Sequence, residues 1–154
     1  MSEIKELVSK LDNIKSGKNF TIVQPVNLYD CEFGDNCFVG PFVEVQSNVK
    51  VGDNTRISSH TFLCSNTIIG EGCFIGHGVV FVNHLFKNNI RAGDQKKFLK
   101  TVVGKNVNIG SNATIFPVKI CDNVTIGAGA VVTKDIDKSG SYIGNPAKLN
   151  TLYK

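Results

Sequence analysis

Apolar residues recur at every sixth position through most of this chain, and few folds can use such a period. Counted from Phe33, the positions are Phe33, Val39, Val45, Val51, Ile57, Leu63, Ile69, Ile75 and Phe81. The register breaks after Phe81, returns at Val103, Ile109 and Ile115, slips by one residue, and resumes at Ile120, Ile126 and Val132. A period of six does not follow the 3.6-residue face of an α-helix, and an ordinary meander alternates over longer runs. Internal repetition of this kind points instead to a stacked solenoid.

The other places in the hexad carry their own signal. The fifth is small or β-branched: Cys37, Val43, Val49, Thr55, Thr61, Thr67, Cys73, Val79, Val107, Ala113, Val124 and Ala130. The fourth is mostly Asn or Gly, as at Asn36, Asn48, Asn54, Asn66, Gly72, Gly78, Asn106, Asn112, Asn123 and Gly129. These residues tolerate the positive φ that a sharp corner needs. Each hexad therefore reads as a short strand and a turn. Three hexads make one coil of a prism, and coils stack as parallel strands roughly 4.8 Å apart. Such a column pairs its backbone groups between coils and leaves only two ends as edges.

The chain's 154 residues fit one domain, and 42% of them are hydrophobic, enough for a core. No apolar run approaches the roughly 18 residues of a membrane span, and the first residues lack the apolar stretch of a signal peptide. The expectation is a soluble, cytoplasmic protein that binds neither membrane nor nucleic acid. The net charge of +4 suits anionic small molecules, whereas the lysines are scattered apart from Lys96, Lys97 and Lys100, with no aromatic platform beside them. Five cysteines without a CxxC spacing argue against a disulfide framework or a zinc ribbon. Cys37 and Cys73, with Cys31 one hexad back, take the tight fifth place; Cys64 and Cys121 take the second, often Gly elsewhere. Cys serves there as a small hydrophobe.

Three departures from the repeat organise the chain. Ile4, Leu7, Val8, Leu11 and Ile14 fall at helical spacing before Gly17, so residues 2 to 15 are expected to form a helix over the open first coil. Residues 1 to 19 would be this helical cap, 20 to 138 the prism, and 139 to 154 a loop-like tail. Residues 82 to 101 interrupt the repeat, and a long excursion from so regular a scaffold is usually functional. A Pro-containing stretch, Ile115 to Lys119, is one residue short of a hexad.

Several segments resemble the hexapeptide-repeat acyltransferases, and among them the nucleotide-sugar N-acetyltransferases that modify amino-sugars for bacterial surface polysaccharides such as O-antigen and lipopolysaccharide. They are Ile57 to Cys64 around His60, Phe74 to Asn83 around His77, Ile109 to Ile115, Ile126 to Ile136, and the closing Gly144 to Lys148. The resemblance covers about residues 20 to 150. It implies an all-β left-handed parallel β-helix, a homotrimer with active sites between neighbouring prisms, and acetyl-CoA along the C-terminal coils. Gly127, Ala128 and Ala130 match positions that present backbone groups to the pantetheine arm. Lys134 and Lys148 match basic positions able to reach the CoA phosphates, and Asn83 matches an Asn at the sugar-amine end. Two departures stand out. His84 follows Asn83 where relatives often carry an acid, and the Gly of a Pro-Gly after the position of Ile115 is missing.

Acyl transfer from a thioester needs a nucleophile relieved of its proton and donors for the developing oxyanion. A neutral amine attacks without a strong base; a sugar hydroxyl needs one, and imidazole suits that near neutral pH. His84 is therefore expected as general base, with Asn83 orienting the acceptor and His60, His77 and Arg91 contacting it. Alternatively, His60 and His77, which should lie one coil apart on one edge, are corner residues bonded to neighbouring turns. The acceptor is expected to be a dTDP- or UDP-linked amino-deoxysugar. Other readings are a sugar O-acetyltransferase of the same fold, a zinc carbonic anhydrase-like protein using three His, and a non-catalytic scaffold. No metal is expected.

Overall fold

The computed structural model describes residues 11–85 and 98–151. They form a left-handed parallel β-helix of about seven coils, with 21 short strands from Leu11–Asp12 to Lys148–Leu149. Three parallel sheets make three faces. The first face stacks Leu11–Asp12, Asn27–Tyr29, Glu44–Val45, Phe62–Leu63, Val80–Phe81, Thr114–Ile115 and Val131–Val132. The second runs from Lys15–Ser16 to Lys119–Ile120, and the third from Thr21–Ile22 to Gly140–Ile143, with Lys148–Leu149 added at its end. The corners are numbered in chain order: the first leads from first face to second, the second from second to third, and the third from third back to first.

The hexad positions behave as their chemistry requires. All fifteen first-position residues from Phe33 to Val132 are buried in the column, and the register pairs them with one another, as at Val45 with Leu63 and Ile75 with Ile109. Fifth-position residues are buried at the corners. There Thr and Cys do the same work: Thr55 Oγ1 donates to the Gly70 carbonyl at 3.0 Å, while the thiols of Cys37 and Cys73 reach the Gly52 and Gly104 carbonyls at 3.2 Å. Fourth-position Asn residues adopt φ of 53–67° and Gly72, Gly78 and Gly129 φ of 64–69°. Other residues would lose roughly 1–2 kcal/mol in that region. The Asn amides also form a ladder between coils, Asn19 donating to Asn36 at 2.9 Å and Asn36 to Asn54 at 3.2 Å.

The three corners are not alike. The step between register positions across the second corner is six residues in each of the first six coils, as from Val51 to Ile57 and from Val103 to Ile109, and the third corner keeps the same count. Irregularity is confined to the first corner. It is five residues long from Leu28 to Phe33 and from Ile115 to Ile120, six from Val45 to Val51, and it carries the long excursion between Phe81 and Val103. The short step at Ile115 turns without any left-handed residue and buries Val118.

Two expectations are corrected. The helix over residues 2 to 15 does not hold over its described part. Leu11–Asp12 and Lys15–Ser16 are strands paired with Leu28–Tyr29 and Glu32–Phe33, so the prism begins by Leu11. Leu11 and Ile14 fit both a helical face and a coil, and pairing with the next coil decides between them. Residues 1 to 10 lie outside the described residues. The C-terminal stretch is not loop alone: Gly140–Ile143 continues the third face beside Val124–Ile126, and Lys148–Leu149 turns back antiparallel onto it. Among the described residues no helix is long and apolar enough to cross a membrane.

Candidate active site

The excursion leaves and rejoins the column at a closed stem. Leu99 N–H donates to the Asn83 carbonyl at 2.9 Å, and Asn66, an amide-ladder residue of the coil before, donates from Nδ2 to the Phe98 carbonyl at 3.4 Å. Asn83 Nδ2 in turn donates to the Ser65 carbonyl at 3.4 Å. The stem thus fixes Asn83 and the half-buried His84 against the outside of the first face. A cavity of about 300 Å³ opens there, walled by Phe62, Val80, Cys64, Gln46 and Phe98 with Asn83 and His84 on its rim. It is a mainly apolar pocket with a few convergent polar groups, the usual form of a small-molecule site. Gln46 ties its floor together: its Oε1 accepts from Ser65 N and Oγ at 3.3 Å, and its Nε2 donates to Glu44 at 3.1 Å. Sequence reasoning pointed to Asn83 and His84 but missed Gln46, Phe62 and Phe98. Phe62 faces outward as the neighbour of a core position, and only the register sets it beside Val80.

The other candidate residues gather at the third corner, across the first face from this cavity. His60 and His77 lie one coil apart there, as their spacing predicts: Gly78 N–H donates to Ser59 O, and His60 N–H to Pro41 O. The His77 ring bonds through Nδ1 to Ser59 Oγ at 2.8 Å, and the His60 ring stacks on Phe42 with centroids 4.9 Å apart. Further down the same corner come Gly127 and the exposed Ala128. Gly127 N–H donates to Tyr142 O at 2.8 Å. Ala130 is buried, with its N–H on the Gly127 carbonyl and its carbonyl accepting from Thr114. Lys148 is exposed next to this corner, since Ala147 bonds to Val131, whereas the exposed Lys134 follows the opposite end of that strand. A single chain therefore brings His60, His77, Gly127 and Ala128 to one edge and Asn83 and His84 to another. Arg91 lies outside the described residues.

The thiols are structural in character. Burial pushes Cys31 and Cys64 up to about 11, and raises Cys37 and Cys73 above the usual thiol range. Cys64 borders the cavity but is held as a neutral thiol at physiological pH, the reverse of an activated nucleophile. Among the described residues no three His, Cys, Asp or Glu side chains converge as a metal site.

Comparison with known proteins agrees with this architecture. Residues 30–65 match the family described as bacterial transferase hexapeptide (six repeats), and residues 100–134 match the hexapeptide repeat of succinyl-transferase. Both matched segments carry hexapeptide repeats. The chain is 29% identical over 137 residues to the bifunctional protein GlmU of Buchnera aphidicola, covering 84% of the chain and 29% of that protein. It spans 12% to 29% of the length of the first curated relatives it matches. Two solved structures share the fold. An N-acyltransferase from Bacillus cereus, AntD, in complex with dTDP and coenzyme A, superposes with a TM-score of 0.81 at 22% identity, covering 91% of this chain and 84% of that one. A perosamine N-acetyltransferase from Caulobacter crescentus, in complex with CoA and GDP-perosamine, gives 0.67 at 21% identity, covering 86% and 53%.

Proposed function

We propose that the protein is an acetyl-CoA-dependent N-acetyltransferase whose acceptor is an amino-deoxysugar linked to a nucleotide such as dTDP or UDP, serving the synthesis of a bacterial surface polysaccharide. The observation that carries this reading is the anchored excursion. In a column built of near-regular hexads, one long segment is tied down by three hydrogen bonds so that Asn83 and His84 border an apolar cavity. Coenzyme A and nucleotide ligands in the two structural neighbours support the choice of substrates.

In this reading the sugar amine, neutral when it attacks, adds to the thioester carbonyl; its proton passes to the His84 imidazole and the CoA thiolate leaves. Asn83 holds the acceptor, and its own amide is set by Ser65. The thioester comes from the third corner, where Ala128 and Gly127 line the path of the pantetheine arm and Lys148 neighbours the phosphates. Since Asn83 and His84 lie across a face from that corner, one complete site takes its two halves from neighbouring prisms of a homotrimer. The enzyme works in the cytoplasm, where acetyl-CoA and nucleotide sugars are made.

Thiol release from acetyl-CoA, measured against dTDP- and UDP-linked amino-sugars, tests the proposal. Turnover should appear with an amine acceptor and fall by at least about 100-fold in His84→Ala, the usual weight of a general base. Near-normal turnover in that variant removes His84 from the mechanism. A second reading, O-acetylation of a sugar hydroxyl, draws support from the imidazole at position 84, because a hydroxyl needs a base more than an amine does. Release with hydroxyl but not amine acceptors would select it.

A further inference from the structure

Twelve described residues other than glycine have left-handed φ, and ten of them are Asn or Asp. The other two are Phe42 at 60° and His60 at 62°. A bulky aromatic in this conformation is an outlier that its surroundings must hold in place. Nothing in the core requires a ring there: Phe42 is 58% exposed. The chain accepts strain at two successive third corners, and the result is a stacked pair of flat rings on the outside of the prism.

The surroundings of Phe42 suit a flat ligand. Its turn lies between that of His60 and that of Pro25, whose carbonyl accepts from Phe42 N–H at 2.6 Å. A depression of about 290 Å³ opens on this side, floored by the buried Val26 and Val43 and bounded by Pro25 and Phe42. Its polar rim is made by Asn27 and Glu44, which are register partners on the first face. Glu44 accepts from Gln46, so its carboxylate is held in position. An aromatic wall with a carboxylate and an amide at its edge matches a base that presents a ring N–H beside a carbonyl: Glu44 accepts from the N–H and the Asn27 amide donates to the carbonyl. Thymine, uracil and guanine carry that pair of groups; cytosine does not.

Position agrees with chemistry. Gln46, which donates to Glu44, lines the cavity at His84, so both hollows lie on one face. From Glu44 to Asn83 is two coils down and about three residues along, roughly 14 Å at the spacings of parallel strands. An extended nucleoside diphosphate joined to a sugar bridges such a gap.

We propose that Phe42, backed by His60, is the stacking platform for the nucleobase of the acceptor, with Glu44 and Asn27 reading its edge. This rests on the nucleotide-sugar reading above and adds to it which residues choose the nucleotide. The test is calorimetric titration of dTDP, UDP, GDP and CDP into the full protein saturated with CoA, so that the donor site is filled. Phe42→Asn is the informative variant, because Asn suits the left-handed corner and only the ring is lost. We expect nucleoside diphosphate binding to weaken about tenfold or more, as loss of one base-stacking aromatic does. The melting temperature should stay level or rise, and CoA affinity should be unchanged. Glu44→Ala should weaken UDP about tenfold and bring it level with CDP, which binds less tightly to the unaltered protein.

Unchanged dTDP, UDP and GDP affinity in Phe42→Asn overturns the platform and leaves the acetyltransferase reading standing. A parallel loss of CoA affinity overturns it too, by assigning the ring to the donor. If the unaltered protein binds acetyl-CoA but none of the nucleotides, the nucleotide-sugar reading falls and the platform falls with it.

Discussion

Gly110 and Gly129 lie at the third corner for different physical reasons, and substitution separates them. A Cβ at Gly110 would stand 2.5 Å from Ala128 N and 2.8 Å from both Ala128 Cα and Gly127 C, all backbone of the next coil. Restoring ordinary contact means opening that coil by nearly 1 Å. The Gly110–Ile126 and Gly129–Ser111 bonds, 2.8 and 2.9 Å long, would then be stretched beyond useful length. Overpacking of about 1–3 kcal/mol plus about 1 kcal/mol for a weakened bond gives about 2–4 kcal/mol, or a melting point lower by roughly 5–15 °C for a chain of this size. Gly129 has open space around it but φ of +69°. Gly129→Ala should therefore cost only about 1–2 kcal/mol, and Gly129→Asn should recover most of it. Asn at position 110 should be no better than Ala. Thermal unfolding followed by far-UV circular dichroism, with acetyl-CoA titration on each folded variant, supplies the measurements. A Gly110→Ala protein that melts within about 1 °C of the parent would refute the claim that contact between coils, rather than backbone conformation, demands glycine there.

Two further outcomes follow from the site and the thiols. Asn66→Gly keeps the left-handed corner but removes the tether to Phe98 together with the ladder contact from Asn48; the acceptor KM should rise several-fold, and an unaltered KM would show that the tether does not shape the site. The raised values of Cys31 and Cys64 mean that the fold favours their protonated forms, so the stability they contribute is present below the ordinary thiol range, near pH 9, and is lost as pH rises toward 11. Melting temperature should accordingly fall more steeply between pH 8 and 11 in the parent than in a Cys31→Val, Cys64→Ala variant; equal slopes would contradict the assignment.

The prism was readable because its core admits one residue per hexad. Phe33 to Phe81 needed only a count of six, and Asn or Gly before most fifth places marked the corners. The first coil was harder. Leu11 and Ile14 satisfy helical spacing as well as a coil, and the pairing of Leu11 with Leu28 and of Ser16 with Phe33, seventeen residues on, is not a local signal. The end strand at Lys148 was hidden for the same reason. At the site, Asn83 and His84 were conspicuous beside a broken repeat, but the partners that wall their cavity, Phe62 and Gln46, come from earlier coils and occupy outward positions where the hexad sets no residue type. Phe42 did carry a local mark. It is an aromatic where the pattern has Asn or Gly, and its meaning emerges only with the strain and the stack.

The unequal corners have a consequence for how such a molecule can change. Adding or deleting a residue at the second or third corner would turn the following strand inside out and propagate through every later rung. At the first corner the chain already tolerates five residues, six, or a segment of more than twenty before Val103, with the rungs on either side in step. New recognition elements can be spliced in at that vertex while the remainder is left as it stands, so acceptor choice can diversify there at little expense to the chassis.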